Sequence, residues 1–145
     1  MNRRGFTLIE LLIVIGLTGV ILMLAAPRLG RTLARQSVRG ARDAVAGMHA
    51  KARAAAIQRG TATKLVFSGN TVLILAEHPV TGVVDTVGEP ADLSSRHGVT
   101  VTASRSSLAF DARGLGTEGS ATTITVSKGS YSDQVVINLW GRLVK

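Results

Sequence analysis

No cysteine occurs among the 145 residues, so neither a disulfide framework nor a thiolate zinc site can form, and the redox compartment cannot be read from thiol pairing. The three histidines, His49, His78 and His97, lie far apart and lack metal-ligand spacing. There is no glycine loop of the phosphate-binding kind, and nothing local orders Ser, His and Asp as a catalytic triad. Asp85, Glu89 and Asp92 share a loop rich in Gly and Pro but lack EF-hand spacing. A solvated acidic loop accounts for them better than a calcium site. Repeats and low-complexity segments are missing as well. Together these absences argue against an enzyme and against a resident metal or cofactor, and leave structural and binding roles.

Negative charge is also scarce: Glu10 and Asp43 are the only acids before residue 60. Phe6 to Ala26 is an otherwise apolar run of 21 residues. As a helix rising about 1.5 Å per residue it matches a hydrocarbon core roughly 30 Å thick. Glu10 is the anomaly in that run, because an ionisable side chain costs about 2.5 to 3.5 kcal/mol at a bilayer centre and less near the interface, where Glu10 falls. Cleavage between Gly5 and Phe6 would create an α-amino group one helical turn from Glu10, able to neutralise it within the chain or in a neighbouring subunit. An ordinary secretory signal is cut after its apolar region, whereas this site precedes it, so the anchor would be retained. A plain signal anchor with Glu10 at the interface is the bland alternative.

Formal charge is +1 over residues 1–27, +7 over 28–60 and 0 over 61–145. Arg3 and Arg4 favour a cytoplasmic N-terminus, while Arg28 and Arg31 beyond the span oppose it. Gly16, Thr18 and Gly19 lower helix propensity, and Pro27 is expected to close the span and form a flexible joint. Equally, these small residues allow close helix packing in a membrane. From Arg28 to Arg59 an amphipathic helix is expected, its apolar stripe running from Leu29 and Leu33 through Val38, Ala41 and Val45 to Met48, Ala52 and Ala55, and packing on a sheet. Gly60 suits its C-terminal cap. Arg28, Arg31, Arg35, Arg39 and Arg42 mark another face, suited to anionic lipid, acidic neighbouring subunits or nucleic-acid phosphates, or simply solvated. Proximity to the span favours lipid or subunit contact for the first three.

Beyond Gly60 short β-branched runs alternate with turn residues, the pattern of an antiparallel β domain of about 85 residues with one modest core. Strands are expected over 63–67, 71–77, 83–87, 99–103, 107–110, 122–126 and 134–139. Hairpin turns are expected at Ser68-Gly69-Asn70 and Ser127-Lys128-Gly129-Ser130, with loops at His78-Pro79 and Gly88-Glu89-Pro90.

The contiguous run Gly5-Phe6-Thr7-Leu8-Ile9-Glu10 resembles the leader and N-terminal signature of type IV pilins and type II secretion pseudopilins. Leu108 to Gly114, the hairpin of 122–139 and the ending Gly141-Arg142 are similar to the C-terminal domain of GspH/FimT-type minor pseudopilins. This resemblance implies an α+β, pilin-like fold: leader 1–5, transmembrane and assembly helix 6–27, amphipathic helix 28–60 and periplasmic β domain 61–145. It further implies cleavage after Gly5 by a prepilin peptidase, N-methylation of Phe6, and subunit assembly through Glu10. Segment 19–27 would lose helicity on assembly. The chain would sit in the inner membrane as a single-pass protein, its C-terminal domain in the periplasm, with other pilins or pseudopilins as partners. Many pilins carry a disulfide-closed loop; lacking one, this chain leans towards a pseudopilin or minor pilin. The specificity of the leader also settles the charge conflict in favour of a periplasmic C-terminal part. Some FimT-like members bind DNA through a basic tail, which here would rest on Arg142 and Lys145. Trp140 is able to stack on a base, although a lone Trp beside a strand is more often core. In the Asp111–Gly114 turn, Asp111 is expected to bond the turn backbone and Gly114 to take positive φ.

Overall fold

The computed structural model describes residues 7–144. Helix α1 (Leu8–Arg59) opens the fold. The chain divides into two compact units, one ending at Ala34 and one starting at Arg35. In the first, Thr7 caps the helix: its Oγ1 accepts from the Glu10 amide at 3.3 Å, and its carbonyl accepts from the Leu11 amide at 3.2 Å. Contrary to expectation, Pro27 does not end the helix, which runs through it unbroken. Proline removes one backbone bond, and the strong helix formers Leu29, Arg31, Leu33 and Ala34 carry the helix onward.

In the second unit α1 buries Val38, Ala41, Val45, Met48, Ala52 and Ala56, spaced by three, four or seven residues. The apolar stripe therefore starts at Val38; Leu29 and Leu33 remain exposed. Three of the six are alanines with no exposed surface, which lets the sheets approach the helix closely. The helix ends at Arg59, and Gly60 follows with φ 64°, as a C-terminal cap requires.

Among the described residues nine strands and a short helix follow: β1 (Thr63–Ser68), β2 (Thr71–Glu77), β3 (Val84–Thr86), β4 (Ala91–Asp92), α2 (Leu93–His97), β5 (Thr100–Ala103), β6 (Ser107–Phe110), β7 (Thr122–Lys128), β8 (Tyr131–Ile137) and β9 (Leu143–Val144). They form two antiparallel sheets where the sequence suggested one. The first runs β3-β2-β1-β6, with β4 also on β2; the second runs β5-β7-β8-β9. Both hairpins turn where the sequence placed them, Ser68 pairing with Thr71 and Lys128 with Tyr131. Alternate residues point inward, and Leu65, Ile74, Phe110, Ile124 and Ile137 join the α1 stripe in one core. Burying each large apolar side chain contributes about 1.5–3 kcal/mol, an upper figure because the unfolded chain is partly collapsed.

Helix α2 occupies part of what reads as an acidic loop. Asp92 is its N-cap: Oδ1 accepts from the amides of Ser94 at 2.9 Å and Ser95 at 3.2 Å and from the Ser94 hydroxyl at 2.7 Å. These bonds, the Ser94 hydroxyl foremost, hold the Asp92 carboxyl below the usual carboxylate range. Gly98 closes the helix at φ 61°.

Candidate functional site

Two surfaces carry the residues singled out by the sequence. On the first unit, every large apolar side chain from Leu8 to Leu24 is more than half exposed. Gly16 and Gly19 are open on all sides, and Thr18 Oγ1 donates to the Val14 carbonyl at 2.7 Å, so its hydroxyl is satisfied within the helix. This helix is long and apolar enough to cross a membrane. Glu10 lies in its first turn, exposed, and makes no ion pair among the described residues. Thr7-Leu8-Ile9-Glu10 has the pattern of a capping box, and the carboxylate at this end also complements the helix dipole. Gly5 and Phe6 lie outside the described residues, as does Lys145.

The second surface is built around the C-terminal segment. Asn138 organises it: its Oδ1 accepts from the amides of Trp140 at 3.1 Å and Arg142 at 2.8 Å, and its own amide donates to the Arg142 carbonyl at 2.9 Å. Gly141, at φ 72°, turns the chain into contact with Gly116, whose amide donates to the Trp140 carbonyl at 3.1 Å. A Cβ on either glycine would stand 2.7 Å from a backbone nitrogen of the other segment, so the crossing requires glycine on both sides. His49 of α1 secures the same turn, its Nε2 2.9 Å from the Gly141 carbonyl and its ring edge-on to Phe110 at 5.4 Å. Only 3% of His49 is exposed. Burial pushes its pKa below the ordinary histidine value, more than the bond to Gly141 raises it; the nearby Arg53 charge also lowers it.

Arg53 Nε donates to the Gly114 carbonyl at 2.8 Å, fixing the neighbouring turn to the same helix. That turn has the expected form. Asp111 Oδ1 accepts from the amides of Leu115 at 2.8 Å and Arg113 at 2.9 Å, and Gly114 sits at φ 74°. The Leu115 bond, with the two from Arg113, holds the Asp111 carboxyl below its usual range. Between α1 and the tail lies an open groove of about 520 Å³, floored by Ala46, Ala50 and Ala54 and bordered by Arg53, Ile57 and Arg142.

Trp140 is not core, as a lone Trp beside a strand more often is; it is 62% exposed on this turn, next to exposed Arg142. The arginine face of α1 is partly engaged. Arg35 lies over the Tyr131 ring at 4.8 Å, and Arg42 pairs with Asp133 at 3.5 Å, both on β8. Arg28, Arg31 and Arg39 stay exposed. Three or more His, Asp or Glu side chains able to share a metal ion are not found together among the described residues. In the loop considered for calcium, Asp92 caps α2 and Glu89 lies 3.9 Å from Arg96.

Comparison with known proteins agrees with this architecture. Residues 1–26 match the prokaryotic N-terminal methylation motif, and residues 41–141 match the type II transport protein GspH family. No curated protein matches the chain. The fold is similar to crystal structures of the type IV minor pilin FimU of Pseudomonas aeruginosa strain PAO1. One, in space group P21, has a TM-score of 0.60 at 18% identity, covering 76% of this chain and 88% of FimU. Another, in space group P65, has a TM-score of 0.55 at 18% identity, covering 73% and 90%. At that identity the likeness concerns the fold, and it is the pilin-like one expected from the sequence. With its N-terminal methylation motif, its long apolar helix and its two-sheet C-terminal unit, the chain belongs to the GspH family of pilin-like proteins.

Proposed function

We propose that this protein is a minor pseudopilin, a structural subunit of a type II secretion pseudopilus placed at or near its tip. In this reading prepilin peptidase cuts after Gly5, Phe6 is N-methylated, and the chain waits in the inner membrane with its β domain in the periplasm. Assembly moves the apolar helix from lipid into the company of neighbouring helices, where Glu10 meets the Phe6 amine of another subunit. The observation that carries the reading is the exposed apolar face of Leu8–Leu24 with one acid, Glu10, in its first turn. A helix whose large apolar side chains are exposed among the described residues needs lipid or other subunits to cover them.

A second reading is favoured by Trp140 and Arg142, which stand exposed side by side on a braced turn. It makes the protein a FimT-like minor type IV pilin that takes part in pilus assembly or DNA uptake, with Arg142 and Lys145 on phosphates and Trp140 stacked on a base. A clean deletion in the source organism separates the two. Loss of secreted proteins with normal pili supports the pseudopilin; loss of pili or of DNA uptake with normal secretion supports the pilin. For the DNA contact, Arg142→Ala with Lys145→Ala is expected to lower the slope of log affinity against log salt by about 2 units or less. An unchanged slope counts against the tail.

A further inference from the structure

Among the described residues, the ionisable side chain that bonds the Trp140–Arg142 turn is His49. The Gly141 carbonyl can only accept, so the 2.9 Å contact fixes the neutral ring as the tautomer with its proton on Nε2. Nδ1 is then the bare nitrogen, without a hydrogen-bond partner among the described residues. A second proton has to go there.

The groups around the ring make that proton costly. Arg53 stands one turn along α1, and Arg142 borders the same groove from the tail. Lys51 is exposed on α1, β6 contributes the uncharged ring of Phe110, and β9 contributes Leu143. The segment after β6 holds two acids, both committed. Asp111 accepts from the amides of Arg113 and Leu115 and lies 3.4 Å from the Arg113 guanidinium, while Glu118 pairs with Arg105 at 2.8 Å. An imidazolium here is a buried cation beside two arginines, with none of these carboxylates free to pair with it. The desolvation that lowers the His49 pKa has the same origin.

The ring has room to leave. His49 lines the open groove of about 520 Å³ between α1 and the tail, so rotation of its side chain carries it from the Gly141 carbonyl towards water. The tail is otherwise lightly held: β9 pairs through two residues, and the crossing depends on the bond from the Gly116 amide to the Trp140 carbonyl. Gly141, at φ 72°, is a natural hinge, since glycine changes backbone conformation at little cost.

From this arrangement we infer that His49 is an acid-sensitive latch: neutral, it holds the Trp140–Arg142 turn against Gly116; protonated, it swings into the groove and frees the turn while both sheets stay folded. Trp140 and Arg142 therefore form one fixed surface near neutral pH and a loosened one in acid. The latch belongs to the turn itself and operates under either reading given above. A released ring is in water with an ordinary pKa, so it takes up the proton first as pH falls. Release grows as pH drops below about 6.5, about tenfold per pH unit, until the latched ring titrates as well.

The test is amide hydrogen exchange of the full-length chain in detergent micelles, resolved by residue with NMR and corrected for the intrinsic rate at each pH. Protection of the Gly116 amide should fall with the slope just given. The Thr117 amide, bonded to the Ala109 carbonyl at 3.0 Å beside β6, is the control and should keep its protection. His49→Gln retains a side-chain N–H for the Gly141 carbonyl and does not titrate, so it should flatten the Gly116 slope. His49→Phe fills the space without the donor and should leave Gly116 weakly protected at every pH. A slope that persists in His49→Gln places the titration on another group and overturns the inference. Constant Gly116 protection in the parent overturns it too, as does an equal loss at Thr117, which is acid unfolding of the whole unit. If neither variant folds, the His49 ring signals of the parent decide, assigned with His78→Gln and His97→Gln. Ring titration coincident with the Gly116 loss supports the latch, and a ring that stays neutral through that loss refutes it.

Discussion

Gly116→Ala places a Cβ 2.7 Å from the Gly141 nitrogen, 2.9 Å from Gly141 Cα and 3.1 Å from the Trp140 carbonyl carbon. All three are backbone atoms, so no side-chain rotation relieves the overlap and the crossing segments must part. Overpacking of this kind costs about 1–3 kcal/mol. Parting also loses the bond from the Gly116 amide to the Trp140 carbonyl, worth about 0.5–1.5 kcal/mol. The expected loss is therefore about 2–4 kcal/mol, or about 8–16 °C in Tm for a unit near 110 residues at about 4 °C per kcal/mol. The unit from Arg35 onward contains the whole buried core, so it serves for urea and thermal unfolding followed by circular dichroism. Gly129→Ala is the control: its φ is 59° with open space around it, so it pays left-handed strain of about 1 kcal/mol and no clash. Gly116 has no positive φ, so conformational strain alone predicts the reverse order. A Gly116→Ala loss no larger than that of Gly129→Ala would refute the steric account. Gly116→Ala and Gly141→Ala combined should fall short of additivity, because the first methyl already separates the segments.

His49 sets a pH window. Its pKa is lowered on folding, so as pH falls the unfolded chain takes up this proton first; the stabilisation is complete above about pH 6.5 and is lost below it. His49→Gln should flatten the fall in urea midpoint as pH drops below about 6.5, and a parent whose midpoint is already flat there speaks against the buried-imidazole account. Asp92→Ala removes the cap of α2 and should lower stability by about 0.5–2 kcal/mol; a change below about 0.3 kcal/mol in urea unfolding would mean the cap is idle. Glu10→Ala should leave membrane insertion and cleavage intact yet deplete the protein from sheared filaments, and normal incorporation sinks the pairing of Glu10 with the Phe6 amine.

The fold was legible where local pattern decides it. Alternation over Thr71–Glu77 and Thr122–Lys128, and the three-and-four spacing of Val38, Ala41, Val45, Met48 and Ala52, reached the surfaces they were expected to bury. The division into two sheets was not legible, because it depends on β1 finding β6 and β5 finding β7, pairings that join distant segments. Helix α2 is only five residues long, too short for periodicity; its signal was Asp92 before it and Gly98 after it. In the candidate surfaces, His49 was treated as one of three scattered histidines, although its place beside Met48 on the α1 stripe marks a core position. Which of the two readings of Trp140 holds was not legible, because its neighbours suggest a strand, whereas β8 stops at Ile137 and Asn138 begins a turn. Arg35 and Arg42 read as free cations because their partners, Tyr131 and Asp133, come some 90 residues later.

Those partners have a mechanical consequence. Near its start in the globular unit, α1 is tied to the β7–β8 hairpin by three side-chain links: Arg35 over Tyr131, Ser37 to Lys128 at 3.0 Å, and Arg42 to Asp133. Lys128 also reaches the His97 carbonyl at 2.8 Å, drawing the end of α2 into the same knot. A pull along the helix from its N-terminal side meets the Arg35 and Ser37 links before the apolar stripe that starts at Val38, and the Arg42 link beside its first residues. They are polar and partly exposed, so they act as a replaceable brake beside the start of the core. In a chain with no disulfide, resistance to axial force is shared by such reversible fastenings, and a brief overload can be recovered from without unfolding the sheets.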